Sequence, residues 1–272
     1  MTPAPFEYVR AESTDHSVAL LVEHGDEAKL LAGGHSLLPM MKLRLATPTV
    51  VVDVGRLDDL RFVRDDGDEL AIGALTRHHD LETDPLIARD CPILGHVAHL
   101  VGDRQVRHRG TLGGTLAHGD PAGDLPAVAV ALDATVVVAG LGGRREIAAT
   151  DLYESFLETT IAPDELVVEV RVPKVPTGWD YQKFVRRAQD WAIVGVATAQ
   201  VAGRTQVALV NMGSTTLRAT AVEEALAGGA SPADAAELAT DGTAPPEDLN
   251  GSVAYREHLA RVLTRRSIEA AA

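Results

Sequence analysis

The chain has 272 residues, with 25 Lys plus Arg against 39 Asp plus Glu, and its 46% apolar content suffices for one elaborate domain or two to three small ones. The net charge of −14 argues against a nucleic-acid footprint, which needs a basic face, and against docking on an anionic membrane. The single cysteine, Cys91, excludes an internal disulfide, a four-thiolate zinc site and a four-thiolate iron–sulfur cluster, and leads us to expect a cytoplasmic chain.

The opening Met1–Glu7 has no cationic segment running into an apolar one, so no signal peptide is expected. Ser17–His24 reads as a helix stopped by Gly25, and Lys29–Ala32 as a short strand stopped by Gly33-Gly34. Leu37–Leu45 follows as a short helix, and Thr49–Val54 as a buried strand. Glu69–Ile72 is a further strand. Pro85–Ala88 and Ile93–Val101 carry apolar residues at helical spacing. Past a Gly-rich stretch at residues 110–115 come an apolar helix, Leu125–Leu132, and a strand, Ala134–Ala139, whose turn at 140–143 closes a hairpin. Leu166–Val172 is a strand, and Pro173 with Pro176 marks a boundary. Beyond it, Ala192–Val201 and Thr205–Met212 form an antiparallel hairpin about Ala202-Gly203-Arg204. Thr220–Ala227 and Ser252–Ile268 are helices joined by a connection over 231–250. No apolar stretch approaches the roughly 20 residues of a bilayer span. The order of elements predicts an α+β fold with mixed sheets first and an antiparallel sheet last. The expected divisions are 1–56, 57–175 and 176–272.

Two segments carry double glycines with a hydroxyl close behind: Ala32-Gly33-Gly34-His35-Ser36 and Thr111-Leu112-Gly113-Gly114-Thr115. A double glycine lets another group approach the main chain, and outward amides of the following turn favour an anion. Two such loops can grip a diphosphate from both sides. On a chain this acidic the grip must come from main-chain dipoles, aided by Lys42 and Arg44. Neither loop is a Walker A or a G-x-G-x-x-G sequence, which weakens ATP and Rossmann-type readings.

Residues 31–44, from Leu31-Ala32-Gly33-Gly34-His35-Ser36 through Met41-Lys42-Leu43-Arg44, resemble the first flavin segment of the FAD-binding medium subunit of molybdenum hydroxylases, of the carbon monoxide and xanthine dehydrogenase type. Residues 105–126, with Gly110-Thr111-Leu112-Gly113-Gly114-Thr115 and Asp120-Pro121-Ala122-Gly123-Asp124, resemble the second. The likeness extends over the whole chain. It implies a two-subdomain FAD-binding fold of the vanillyl-alcohol oxidase type, followed by a smaller domain of antiparallel sheet and helices. It also implies that Ala32, Gly33, Gly34, His35, Ser36 and Leu37, with Thr111, Gly113, Gly114 and Thr115, hold FAD at its diphosphate region. Asp124 would meet the sugar portion, Lys42 and Leu43 would lie along the flavin, Lys183 near its polar edge and Trp191 against its rings. Thr115 stands where Asn or Ser is usual, and Trp191 where Tyr or Phe is usual.

In that family, oxidation occurs at a molybdenum–pterin centre and electrons pass through two [2Fe–2S] clusters. One cysteine and 272 residues cannot house either, so both are expected on partners, an iron–sulfur small subunit and a molybdenum-binding large subunit, in a dimer of heterotrimers. FAD is then held non-covalently and no catalytic residue or metal ligand is expected on this chain. His35 as a covalent flavin anchor, and His78, His79, Asp80, His96 and His99 as metal ligands, are weaker readings. Arg104, Arg107 and Arg109 read as surface or structurally paired cations. A self-sufficient flavin oxidase or reductase on the same fold is the alternative function, and a non-catalytic assembly module a third.

Overall fold

The computed structural model describes residues 2–272. The first unit runs β1 (Glu7–Arg10), α1 (Thr14–His24), β2 (Ala28–Leu31), α2 (Leu37–Leu43) and β3 (Val50–Asp53). Ser13 caps α1 by accepting the His16 amide. The strands order β1-β3-β2 and both pairs are parallel, not mixed as expected. Helices lie in the connections between these strands, and a helical crossover is what parallel pairing requires.

The second unit starts with β4 (Val63–Asp66) and β5 (Glu69–Gly73), then passes through six helices: α3 (His78–Thr83), α4 (Pro85–Asp90), α5 (Pro92–Leu100), α6 (Arg104–Arg107), α7 (Leu112–His118) and α8 (Asp124–Ala131). It closes with β6 (Thr135–Gly140), β7 (Gly143–Ala148), a small pair β8 (Tyr153–Ser155) and β9 (Glu158–Thr159), and β10 (Leu166–Pro173). Its five strands order β4-β5-β10-β6-β7, antiparallel throughout, so this sheet too is unmixed. The third unit holds β11 (Trp179–Phe184), β12 (Val194–Val201), β13 (Arg204–Val210) and β14 (Leu217–Arg218) in antiparallel order. Around them lie α9 (Thr220–Ala227), α10 (Pro232–Ala236) and the long α11 (Val253–Ala271). The β12–β13 turn has positive φ at Ala202 and Gly203, 48° and 76°, the handedness a two-residue hairpin needs.

Alternation along the strands explains how the units stack. On β6, Val136 and Val138 join one core while Val137 and Ala139 join another. The second of these cores is shared with α1 and the first sheet. On β12 and β13, Ala197, Ala199, Ala208 and Val210 face the first core, and Val194, Val196, Val207 and Leu209 face a third, under α9 to α11. Helix α8 lies in the first core, packed against α5 and α7 and against β12, β13 and β14 of the four-stranded sheet. Every one of its residues is buried, which is why Leu125–Ala131 has no polar face. Alanines on the facing strands let the helix approach closely.

Candidate functional site

The first glycine loop bridges β2 and α2. Gly34 has φ +79°, a left-handed conformation that glycine adopts without penalty. A Cβ on Gly33 would collide with the Arg109 carbonyl oxygen, so Gly33 exists to let the two loops touch backbone to backbone. Across the same seam, a Cβ on Gly114 would lie 3.9 Å from the Ala32 Cβ. The structure thus brings together residues 32–36 and 109–115, which are far apart in sequence.

The two loops are not equivalent, although they share a sequence design. In the second, the Leu112 amide donates to Thr76 O at 3.0 Å, Gly113 to Ala74 O at 2.8 Å and Thr115 to Thr111 O at 3.1 Å. Gly114 N donates to the Thr111 hydroxyl at 3.2 Å, so that hydroxyl is the N-cap of α7. A Cβ on Gly113 would come within 2.6 Å of Ala74 Cβ, so Gly113 serves close packing. The second loop spends its amides on the protein itself. In the first loop, by contrast, the amides of Gly33, Gly34, His35, Ser36 and Leu37 donate to no protein acceptor among the described residues. Ser36 precedes α2 without a side-chain capping bond, leaving its hydroxyl free as well.

Five consecutive free N–H groups, with no Cβ on two of them, suit a polyanion: an uncompensated backbone donor covered from water costs about 1–3 kcal/mol, and anionic oxygens remove that cost. The donor set fits the diphosphate of FAD. Lys42 and Leu43 follow on the exposed side of α2, and Arg44 ends that helix in the left-handed conformation with φ 60°.

The other expected residues lie deeper or on the third unit. Asp124 opens α8 and is buried. It accepts from Tyr181 Oη at 2.6 Å and from Lys183 Nζ at 2.8 Å, and Lys183 also donates to Leu100 O at 3.2 Å. Burial raises the Asp124 pKa above the usual carboxylate range, against the pull of Lys183. Trp191 is 68% exposed, on the loop between β11 and β12. It borders a cavity of about 250 Å³ with Ala122, Asn211 and Arg256, so this loop reaches the turn preceding Asp124.

Of the three arginines read as surface or structurally paired, Arg107 is the paired one: it is buried and donates to Glu82 at 3.0 Å and to the Val101 and Gly102 carbonyls, whereas Arg104 and Arg109 are exposed. His99 bonds the same Glu82 at 2.8 Å and His96 lies over Trp179, which gives both histidines structural partners. Fully buried Arg256 clamps Ile193 O and, at 2.7 Å, Asp248, securing the end of the Trp191 loop. Asp65 and Asp66 end β4, where Asp65 pairs with Lys174 at 2.7 Å. Cys91 is fully buried, and burial pushes its thiol up to about 12.

Residues 4–175 match the family described as FAD binding domain in molybdopterin dehydrogenase, and residues 179–271 the CO dehydrogenase flavoprotein C-terminal domain. The chain is 40% identical to the carbon monoxide dehydrogenase medium chain of Hydrogenophaga pseudoflava, over 100% of this chain and 98% of that one. It is 38% identical to the 6-hydroxypseudooxynicotine dehydrogenase complex subunit alpha of Paenarthrobacter nicotinovorans, over 98% and 95% respectively. Among solved structures, carbon monoxide dehydrogenase from Hydrogenophaga pseudoflava lacking the Mo-pyranopterin moiety matches with TM-score 0.97 at 41% identity, covering 100% of this chain and 98% of that chain. Quinoline 2-oxidoreductase from Pseudomonas putida 86 matches with TM-score 0.92 at 32% identity, covering 100% and 98%.

Proposed function

Because the chain belongs to the family of FAD-binding medium subunits of molybdenum hydroxylases, we propose that it is the electron-transfer subunit of a larger enzyme, taking electrons from [2Fe–2S] clusters on a partner and releasing them to an external acceptor. The row of free amides from Gly33 to Leu37, held against Arg109 by backbone contact, is the observation that carries this reading. FAD, when bound, supplies a ring system that accepts electrons singly and gives them up in pairs.

The residues of this chain bind and orient. Gly33 to Leu37 hold the diphosphate by main-chain N–H groups, and Ser36 adds a hydroxyl. Thr111, Gly113, Gly114 and Thr115 stand across the seam at the same diphosphate region, with Thr111 capping α7 and Gly114 approaching Ala32 of the first loop. Asp124 meets the sugar portion, Lys42 and Leu43 lie along the flavin, Lys183 stands near its polar edge and Trp191 against its rings, with Tyr181 and Lys183 both bonded to the Asp124 carboxylate. No residue here need act as a general base. The three larger sheets, one in each part, support a division at 1–56, 57–175 and 176–272. The partners are an iron–sulfur small subunit and a molybdenum-binding large subunit, assembled as a dimer of heterotrimers.

Reconstitution of the purified full chain with FAD, followed by flavin absorbance and substrate assay, tests the reading. One FAD per chain without turnover of the native substrate is expected, with iron–sulfur and molybdenum proteins co-purifying from the native cell. A colourless chain that refuses FAD, or full turnover by the chain alone, would overturn it.

A further inference from the structure

We infer that His78 binds the dinucleotide directly, donating its Nε2–H to the diphosphate bridge in the seam between the two glycine loops. This rests on the reading of Gly33–Leu37 as the cradle of that bridge. His78 opens α3, only 4% exposed, and its backbone amide donates to Gly110 O at 3.0 Å. The imidazole edge is pressed into the second loop: a Cβ on Gly110 would sit 2.6 Å from His78 Cδ2 and 2.7 Å from Nε2. Gly110 adjoins Arg109, whose carbonyl touches Gly33, so the ring lies directly behind the point where the loops meet.

The two ring nitrogens differ in their surroundings. Among the described residues, Nδ1 is covered and has no hydrogen-bond partner. Nε2 also bonds no described protein group but is not among the sealed, unpartnered atoms, so it keeps contact with open space. A sealed N–H without an acceptor costs more than a sealed lone pair, so the proton belongs on Nε2. Burial, together with the His35 and Arg107 side chains that face the ring, depresses its pKa to about 4. His78 is therefore a neutral, fixed donor at pH 7, with one N–H and one direction in which to offer it. An anionic oxygen in the seam answers that donor, as it answers the five amides of the first loop.

The test compares FAD affinity of the full-length wild type, His78→Gln and His78→Leu by flavin fluorescence, with unfolding midpoints of the FAD-free proteins as control. Gln places an amide N–H near the position of Nε2, whereas Leu keeps bulk and removes the donor. His78→Leu should weaken FAD about tenfold or more, as expected for a lost hydrogen bond to a charged acceptor, and His78→Gln should recover most of it. Equal weakening by both, or wild-type affinity in both, overturns the inference. If His78→Leu does not fold, histidine-labelled wild-type chain decides by nitrogen NMR, with ADP as the diphosphate probe. The Nε2–H tautomer and a shift of Nε2 on ADP addition are expected. An Nδ1–H tautomer, or an Nε2 resonance unmoved by ADP, overturns it. A wild-type chain that takes up no FAD instead overturns the cofactor reading itself.

Discussion

Gly33 and His78 show how single atoms set the site. Adding one methyl at Gly33 drives a Cβ into Arg109 O, and backbone on both sides must part. Gly33→Ala is expected to cost about 1–3 kcal/mol of stability, as overpacking of a close contact does, and to weaken FAD binding more than Gly34→Ala. Thermal unfolding with and without FAD measures both effects. At Gly34 a Cβ would meet only leucine side chains, the nearest at 3.0 Å, so its cost is the strained φ and a small displacement of Leu31 and Leu38 rather than a parting of backbones. His78 makes a pH prediction. Its pKa falls from 6.5 in the unfolded chain to about 4 in the folded one, so below pH 6.5 the unfolded state takes up a proton that the folded state refuses. The contribution is complete above pH 6.5 and declines as pH falls toward 4, by up to about 3 kcal/mol. The difference between wild type and His78→Gln, followed by urea unfolding from pH 7.5 to pH 4, should show that slope. A flat difference would mean the ring is solvated.

At the level of elements, the loop between β11 and β12 depends on a residue far along the chain. Arg256, on α11, holds Ile193 O and Asp248 with its guanidinium. Arg256→Met retains the stem but frees both acceptors, and should cost about 2–4 kcal/mol. Exposed Arg186 and Arg187 on that loop then become faster trypsin sites, read by mass spectrometry of a timed digest. Elements with strong apolar patterns were legible from the sequence: α5, α8, β6, β10, β12 and β13 lie within two residues of their expected bounds. Others were hidden for definite reasons. β11, Trp-Asp-Tyr-Gln-Lys-Phe, has no clean apolar alternation, and its inward Tyr181 and Lys183 find their partner, Asp124, in another unit. α7 begins inside the Gly-rich stretch and forms because Thr111 caps it and Gly113 packs on Ala74. Of the site, both loops were legible as motifs. Their different duties were not, because only tertiary contacts to Ala74 and Thr76 decide which amides are consumed.

Over the whole molecule, a net charge of −14 meets a doubly charged ligand. If the grip is mainly neutral N–H groups, added salt removes general repulsion and little specific attraction. The FAD dissociation constant should then change less than about threefold between roughly 0.03 and 0.3 M salt, whereas a site built on lysine and arginine would weaken steeply. Isothermal titration at the two salt levels separates these cases. Helix α8, apolar from Leu125 to Ala131, has a bearing of its own. Two families of sequence meet near residue 176, as if the protein were a tandem of exchangeable parts. Yet the helix that ends the flavin segment is walled on one side by helices α5 and α7 from the front part and on the other by strands β12, β13 and β14 from the rear. Cutting the chain between the two parts would leave a greasy rod bare to solvent, so the two stand or fall together as one core.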